Sequence, residues 1–378
     1  MRLAAAVRMA ELTHFKRNRW LLIAAIVLAV LALAGVAAFH FAARSVKGSI
    51  EQALGPEGEA AAINVGLTSV EILDVRIKAP KGWPSDSTLR ARRIVIVPDL
   101  RELLSDRVRI TRVDVQGAYL SALRPKEGGG LRVLPSIADR AKKNKGPGKA
   151  RRGAIVSTVQ LTDCVIEVYD ATVAGKPQKL RVDAVKGTVE DIRLPELTNR
   201  TRIDLAGVSK GENRNGAITV RGWVEVANRD AELDTRVRNV GLAHFEPYVI
   251  TKLKSGIDSG SFNLDLKSRV TKNFVTATGT LTVVALKLAP SENPLGAIAA
   301  LPRAAMIGVL ENEQEEITVP FKIEGDLDDP AFSLTGEGVL QTAVAVVKAF
   351  GASFEGLVRA LLILVNGFAS AFRALVPG

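Results

Sequence analysis

Three carboxylates, Asp326, Asp328 and Asp329, sit together in Gly-Asp-Leu-Asp-Asp-Pro. Clustered carboxylates suit a hard cation such as calcium. Their spacing is not that of a calcium-binding helix-loop-helix, and Pro330 marks a turn, so the segment reads as a structural turn. Ser259 lies in Gly256-Ile257-Asp258-Ser259-Gly260. It is displaced from the Gly-x-Ser-x-Gly position, and a strand pattern follows instead of a helix, so no nucleophile elbow forms. Gly146-Pro147-Gly148-Lys149 lacks the upstream glycine and the following hydroxyl of a phosphate loop. Glu311, Glu313, Glu315 and Glu316 read as a solvated acidic run. The single cysteine, Cys164, excludes an intrachain disulfide and a Cys-rich metal site. It alternates with Ile166 and Val168, the pattern of a buried small apolar residue. Of the three histidines, His14 and His40 lie in or beside an N-terminal apolar segment, and His244 reads as a helix-start residue beside Phe245. No catalytic set assembles from these residues. The sequence is read as non-enzymatic, with no metal and no cofactor.

The chain has 378 residues, 47% hydrophobic and 24% charged, the composition of a globular protein with ample core. Aromatics make up 5%, too few for base-stacking platforms along a nucleic-acid groove. The net charge is +11, but residues 1–19 carry +4 of it and residues 139–152 carry +6. The rest of the chain is nearly neutral, which argues against a basic nucleic-acid-binding fold.

Leu21–Phe39 is a 19-residue run without a charged side chain. That length crosses a bilayer core as a helix, and Trp20 and Phe39-His40-Phe41 flank it as interfacial aromatics do. Five Lys/Arg precede the run, while Arg44 and Lys47 follow it closely. The bias places the N-terminus in the cytoplasm and the bulk of the chain outside it. The competing reading is a signal peptide cleaved near Val36-Ala37-Ala38, but the apolar run exceeds the usual h-region.

From about 63 to 335 the pattern alternates with period two. Ile218, Val220, Gly222, Val224 and Val226 alternate with Thr219, Arg221, Trp223 and Glu225. Phe262, Leu264, Leu266, Ser268 and Val270 alternate with Asn263, Asp265, Lys267 and Arg269. Ile317, Val319, Phe321 and Ile323 alternate with Thr318, Pro320, Lys322 and Glu324, and Leu73, Val75, Ile77 and Ala79 with Asp74, Arg76 and Lys78. Such strands belong to antiparallel sheets wetted on one side. Turn signals such as Asn215-Gly216 and Lys272-Asn273 separate them. The apolar faces can close as a sandwich or line a trough, which periodicity does not separate.

Helical patterns interrupt the strands at 243–253, 294–310 and 338–376. In the last, Phe354, Val358, Leu361, Val365, Phe368 and Phe372 form one apolar stripe opposed by Glu355, Arg359, Asn366 and Arg373. The charge-free stretch there is too short to span, so the helix caps the fold or lies in a membrane interface. The expected organisation is a basic tail (1–19), a transmembrane helix (20–43), a first β block (44–138), a basic linker (139–153), a second β block (154–335) and C-terminal amphipathic helices (336–378). Arg140, Lys142, Lys143, Lys145, Lys149, Arg151 and Arg152 make the linker either a solvated connection or a docking loop for an anionic surface.

The order of these elements resembles the AsmA-like proteins of Gram-negative envelopes, especially the branch described as a domain of unknown function. The resemblance rests on VEILDVRIKAP (70–80), LRARRIVIVPDLRELLSDRVRITRVDVQGAYLSALRP (89–125), LAHFEPYV (242–249), SGSFNLDLKSRV (259–270) and, most specifically, ITVPFKIEGDLDDPAFSL (317–334). It implies an elongated, mainly β fold, an antiparallel sheet curved into an apolar trough. It also implies inner-membrane anchoring, a periplasmic location, and a role in phospholipid transport or outer-membrane maintenance. The implied partners are phospholipid, the inner membrane, and self-association or other envelope proteins. About 14 strands at roughly 4.8 Å reach only some 65 Å, short of bridging the periplasm alone. The lining residues expected from the alternation are Ile218, Val220, Val224, Val226, Phe262, Leu264, Leu266, Ile317, Val319, Phe321 and Ile323. The alternative function is a membrane-anchored assembly factor with a closed core that binds partner proteins through the basic loop and the C-terminal helix.

Overall fold

The structure is a computed structural model that describes residues 43–48, 50–52, 54–99, 101–102, 108–126, 132–135, 154–171, 176–194, 197–211, 215–225, 227–242, 257–288, 316–326 and 333–335. The expected helices at 243–253, 294–310 and 338–376 lie outside these residues. So do the basic residues of 139–153 and, but for Ala43, the expected membrane span. Among the described residues, no helix is long and apolar enough to cross a membrane.

The alternating segments form strands β1 (Gly58–Glu59), β2 (Ala62–Val65), β3 (Val70–Lys78), β4 (Ser87–Pro98), β5 (Val108–Arg124), β6 (Arg132–Val133), β7 (Ala154–Asp170) and β8 (Gln178–Leu194). They continue as β9 (Thr201–Ser209), β10 (Gly216–Glu225), β11 (Asp230–Gly241), β12 (Ile257–Thr271), β13 (Phe274–Leu288), β14 (Glu316–Asp326) and β15 (Ser333–Thr335). All fifteen belong to one open sheet, ordered β1-β3-β4-β5-β7-β8-β9-β10-β11-β12-β13-β14-β15, with β2 beside β3 and β6 beside β5. Most neighbours are sequential strands joined by hairpins. The β12–β13 turn has two residues, Lys272 and Asn273, with φ of 47° and 72°. Positive φ at both central positions matches the right-handed twist of the flanking strands.

The expected antiparallel sheet is corrected at one place. β5 and β7 pair in parallel, from Val108↔Ala154 to Arg124↔Asp170. A parallel neighbour needs a crossover of a dozen or more residues, and residues 125–153 supply that length. The basic stretch therefore belongs to a crossover, and the β blocks on either side of it are hydrogen-bonded into one sheet.

Two adjacent rungs show what the alternation builds. One passes from Ile72 through Ile94, Val115, Leu161, Gly187, Leu205, Val220, Thr235, Leu266 and Gly279 to the backbone of Phe321. The next passes through Glu71, Val95, Asp114, Gln160, Thr188, Asp204, Arg221, Asp234, Lys267, Thr278 and Lys322. Successive side chains point to opposite faces, so the first rung makes an apolar face and the second a polar one. Ion pairs such as Arg93–Glu71 (2.6 Å), Arg221–Asp204 (3.1 Å) and Arg238–Asp265 (2.5 Å) cross the polar face. Exposed pairs of this kind contribute about 0–1 kcal/mol each. Burial of the apolar face contributes more, about 1.5–3 kcal/mol for each fully buried Val, Leu or Ile.

A short helix, α1, shares the apolar core. Its described residues fall within 43–54. Val46, Ile50 and Leu54 are spaced one helical turn apart and are buried in one cluster with Ile72, Ile77, Ile94 and Ile110.

Candidate functional site

The alternation slips by one residue on five strands, at the same rung on β3, β4, β5 and β7 and one inward pair further along on β8. Inward residues spaced by two become spaced by three at Ile72/Val75, Ala91/Ile94, Val115/Ala118, Leu161/Cys164 and Val182/Val185. The slip falls at Asp74 (φ 48°), Gly117 (φ 60°), Asp163 (φ 54°) and Ala184 (φ 49°), all in the left-handed region. Arg92, on the intervening strand β4, lies over Gly117 and pairs with Asp163 at 3.8 Å. A side chain at 117 would meet the Arg92 guanidinium at 3.1 Å. A slip level with that of β8 occurs at Val237/Val240, with Asn239 at φ 53°, and one further along at Val283/Leu286, with Ala285 at φ 51°. The expected β3 pattern is corrected here. Ile72 is buried with Val75 and Ile77, while Leu73 lies opposite Arg93 on the polar face. On β3, β4, β5 and β7 the extra residues face one another and the register stays unbroken there. The register shifts instead between β7 and β8 and between β11 and β12, the kind of bulge that bends a strand locally.

The expected lining residues divide. Ile218, Val224 and Leu266 are buried, Phe262 and Leu264 are wholly buried, and Val220 is half-buried. They lie on the apolar face formed by the register of β10 to β13. Val226 lies outside the described residues, as do the side chains of Ile317, Val319, Phe321 and Ile323. The backbone register sets those four positions of β14 opposite Val283, Leu281, Gly279 and Ala277. On the opposite face Trp223 is half-buried, and the Arg200 guanidinium stacks 4.1 Å from its ring centre.

Four strands bring a polar cluster together on the other face, behind β4, β5, β7 and β8. Glu167 is buried at 4% exposure. Tyr119 and Tyr169 each donate a hydroxyl to Glu167 Oε2 at 2.7 Å, and Arg181 Nη1 donates to Oε1 at 2.7 Å. Arg181 also grips Asp183, itself buried, through Nε and Nη2. The β3–β4 loop folds over the cluster. Ser85 Oγ lies 2.8 Å from the Tyr119 hydroxyl, Trp83 Nε1 donates to Ser121 Oγ at 2.9 Å, and the Arg90 guanidinium covers the Tyr119 ring. Burial pushes the Glu167 carboxyl up, but Tyr119, Tyr169 and Arg181 outweigh it and hold the group below its ordinary value. Burial and then Glu167 push the Tyr169 phenol up, and burial raises that of Tyr119. The phenols stay protonated donors and the carboxylate is saturated. The cluster is therefore built to tie strands together, not to move a proton. The sequence analysis missed it. Its only trace there was that Tyr119 and Tyr169 are two of three tyrosines in the chain, both at polar-face positions.

The remaining chemistry is sparse. Cys164 is buried, and burial pushes its thiol up. Ser259, on β12, lies opposite Lys287 of β13, a strand position. Asp328 and Asp329 lie outside the described residues, as does His244. No group of three or more potential metal ligands occurs among the described residues. Comparison with protein-family models, with curated proteins and with solved structures finds no match to this chain.

Proposed function

We propose that the chain is an inner-membrane-anchored periplasmic protein that holds phospholipid acyl chains against the apolar face of a curved sheet, in lipid transport or outer-membrane maintenance. The observation that carries this reading is the unbroken apolar face backed by a charged one. From β3 to β13 it extends about 43 Å at 4.8 Å per strand. Bulges interrupt the register between β7 and β8 and between β11 and β12, and in this reading the sheet curves there with its apolar side inward. Acyl chains on such a surface gain about 0.8 kcal/mol per buried CH₂, while headgroups stay at the wetted margin. The reading takes up what the resemblance to AsmA-like proteins implies, including the span at 20–43 and the exported location. It assigns no catalysis, since the buried carboxylate is fully engaged by donors.

The test is site-specific photo-crosslinking in cells. A photoreactive residue replaces Val220 or Trp223, which point to opposite faces of β10. The expected result is a phospholipid adduct at Val220 and none at Trp223. No lipid at either position, with intact protein, overturns the reading.

The full burial of Phe262 and Leu264 favours a second reading, a closed dry core in an anchored assembly factor. That reading expects loss of a protein partner on deleting 139–152 or 354–376, and no lipid in any crosslink.

A further inference from the structure

The β3–β4 loop, residues 79–86, is closed on itself and pinned to the polar face at two points. Ala79 N donates to Asp86 O at 3.1 Å across its neck, and Trp83 N to Pro80 O at 3.1 Å within it. Pro80 and Pro84 stiffen it. Trp83 and Ser85 are half-buried and the residues beside them are exposed, so the loop rests on two side chains.

Each pin is a chain of hydrogen bonds with a fixed direction. Trp83 Nε1 donates to Ser121 Oγ at 2.9 Å, and Ser121 Oγ donates its own hydrogen to Ser87 O at 2.9 Å. At the other pin the Tyr119 hydroxyl gives its one hydrogen to Glu167 Oε2 at 2.7 Å. The 2.8 Å contact between Ser85 Oγ and Tyr119 is then donated by Ser85. The first chain ends on a neutral carbonyl, which pH does not alter. The second ends on a carboxylate. Bonds to a charged acceptor are about twice as strong as neutral ones, and a connected chain transmits that polarity.

A neutral Glu167 breaks this order. Its Oε1 faces Arg181 Nη1 at 2.7 Å and Lys179 Nζ at 3.8 Å, so the added hydrogen falls on Oε2, between Tyr119 and Tyr169. A phenol there loses its acceptor and must turn. When Tyr119 turns, its hydrogen points at Ser85. The Ser85 hydrogen is left with Ser87 O, 3.2 Å away and already taken by Ser121. The other charges nearby do not replace the carboxylate. Arg181 stays paired with Asp183 at 2.7 Å, Lys210 lies 3.9 Å from Asp183, and Arg90 covers the Tyr119 ring.

We infer that the β3–β4 loop is an acid-released latch, held to the sheet through Ser85 and Tyr119 while Glu167 is charged and opened on the Ser85 side when Glu167 is neutral. Opening uncovers the Tyr119 hydroxyl and leaves the strand ladder closed. Tyr119, Ser121 and Glu167 lie on the polar face, so the latch works whether or not the apolar face holds lipid. The Glu167 carboxyl sits below its ordinary value, so release comes only as pH falls through that lowered value.

The experiment is hydrogen–deuterium exchange of the full chain from about pH 7 to about pH 3, with each peptide's rate divided by its rate in the denatured chain. The expected result is that exchange over 79–86 rises about tenfold or more beyond any rise in β5 and β7. Glu167→Gln shows the faster loop already at neutral pH. Ser85→Ala shows it at every pH with no acid step, because the link to Tyr119 is gone. Tyr119→Phe is the second relay variant, used if Glu167→Gln lowers the amount of folded protein. A loop that does not respond to these variants overturns the latch. So does a loop that changes only in step with β5 and β7, or an acid rise that persists in Ser85→Ala.

Discussion

The apolar face is buried to different degrees along the sheet. From β3 to β5, Ile72, Ile77, Ile94, Ile96 and Ile110 are all at 2% exposure or less. From β8 to β11 the same face carries Ile203, Leu205, Ile218 and Val224, buried at 3–8%, beside the half-buried Val182, Val220 and Leu233. Both regions share one sheet and one alternation. What differs is side-chain bulk, since Gly187, Gly207 and Gly222 interrupt the second region where the first carries isoleucine. A sheet face needs a second layer to become a core. The polar cluster lies directly behind the half-buried Leu120, Ile166 and Val182. Tyr119, Glu167 and Arg181 adjoin these residues in the chain, and so point the other way. The part of the face that is less tightly filled on its inner side is clamped from its outer side.

The largest effect expected from breaking this contrast is in the tightly buried region. Ile50→Asp puts an unpaired charge on the buried side of α1 and costs about 4 kcal/mol or more, read as loss of cooperative unfolding of the full chain in urea. A fold that tolerates it does not share its core with α1. Next comes a matched pair. Ile72→Ala costs about 2–5 kcal/mol, whereas Val220→Ala costs about 1 kcal/mol, both from the shift in urea midpoint. Equal costs at the two sites would erase the distinction between the regions.

The clamp is tested by pH. The Glu167 carboxyl is held below its ordinary value of 4.5, so the stability it contributes is fully present above that value. It is lost as pH falls through the lower folded-state value. Glu167→Gln is expected to cost about 1–3 kcal/mol at neutral pH and to flatten the acid side of the melting-temperature profile. An unchanged acid limb would mean that Glu167 does not hold the strands. The smallest effect belongs to the polar face away from the clamp. Arg221→Ala, which removes the pair to Asp204, is expected to shift stability by about 0–1 kcal/mol, and less at high salt.

Much of the wet and dry faces was legible along the chain. Ile218, Val220 and Val224 alternate with Thr219, Arg221 and Trp223 in the sequence as they do on β10. Lys272-Asn273 marked its turn, and Cys164 its inward position. The β3 phase was not legible. Leu73 fits the alternation as well as Ile72 does, and only the left-handed Asp74 between Leu73 and Val75 decides between them. Asp tolerates that conformation and also fits an ordinary polar-face position, so its identity leaves both readings open.

The sequence by itself determined which residues of most strands face water, where hairpins turn, and that no intrachain disulfide or cysteine-rich metal site forms. These follow from side-chain chemistry and a period of two, both local properties. Only the tertiary structure decided which strands become neighbours. It set β7 parallel to β5, aligned the slips of four strands at one rung, and brought Tyr119, Glu167 and Arg181 together across 48 and 14 positions of chain. Alternation specifies a face, while pairing and register depend on the crossover and on the layer that covers the face.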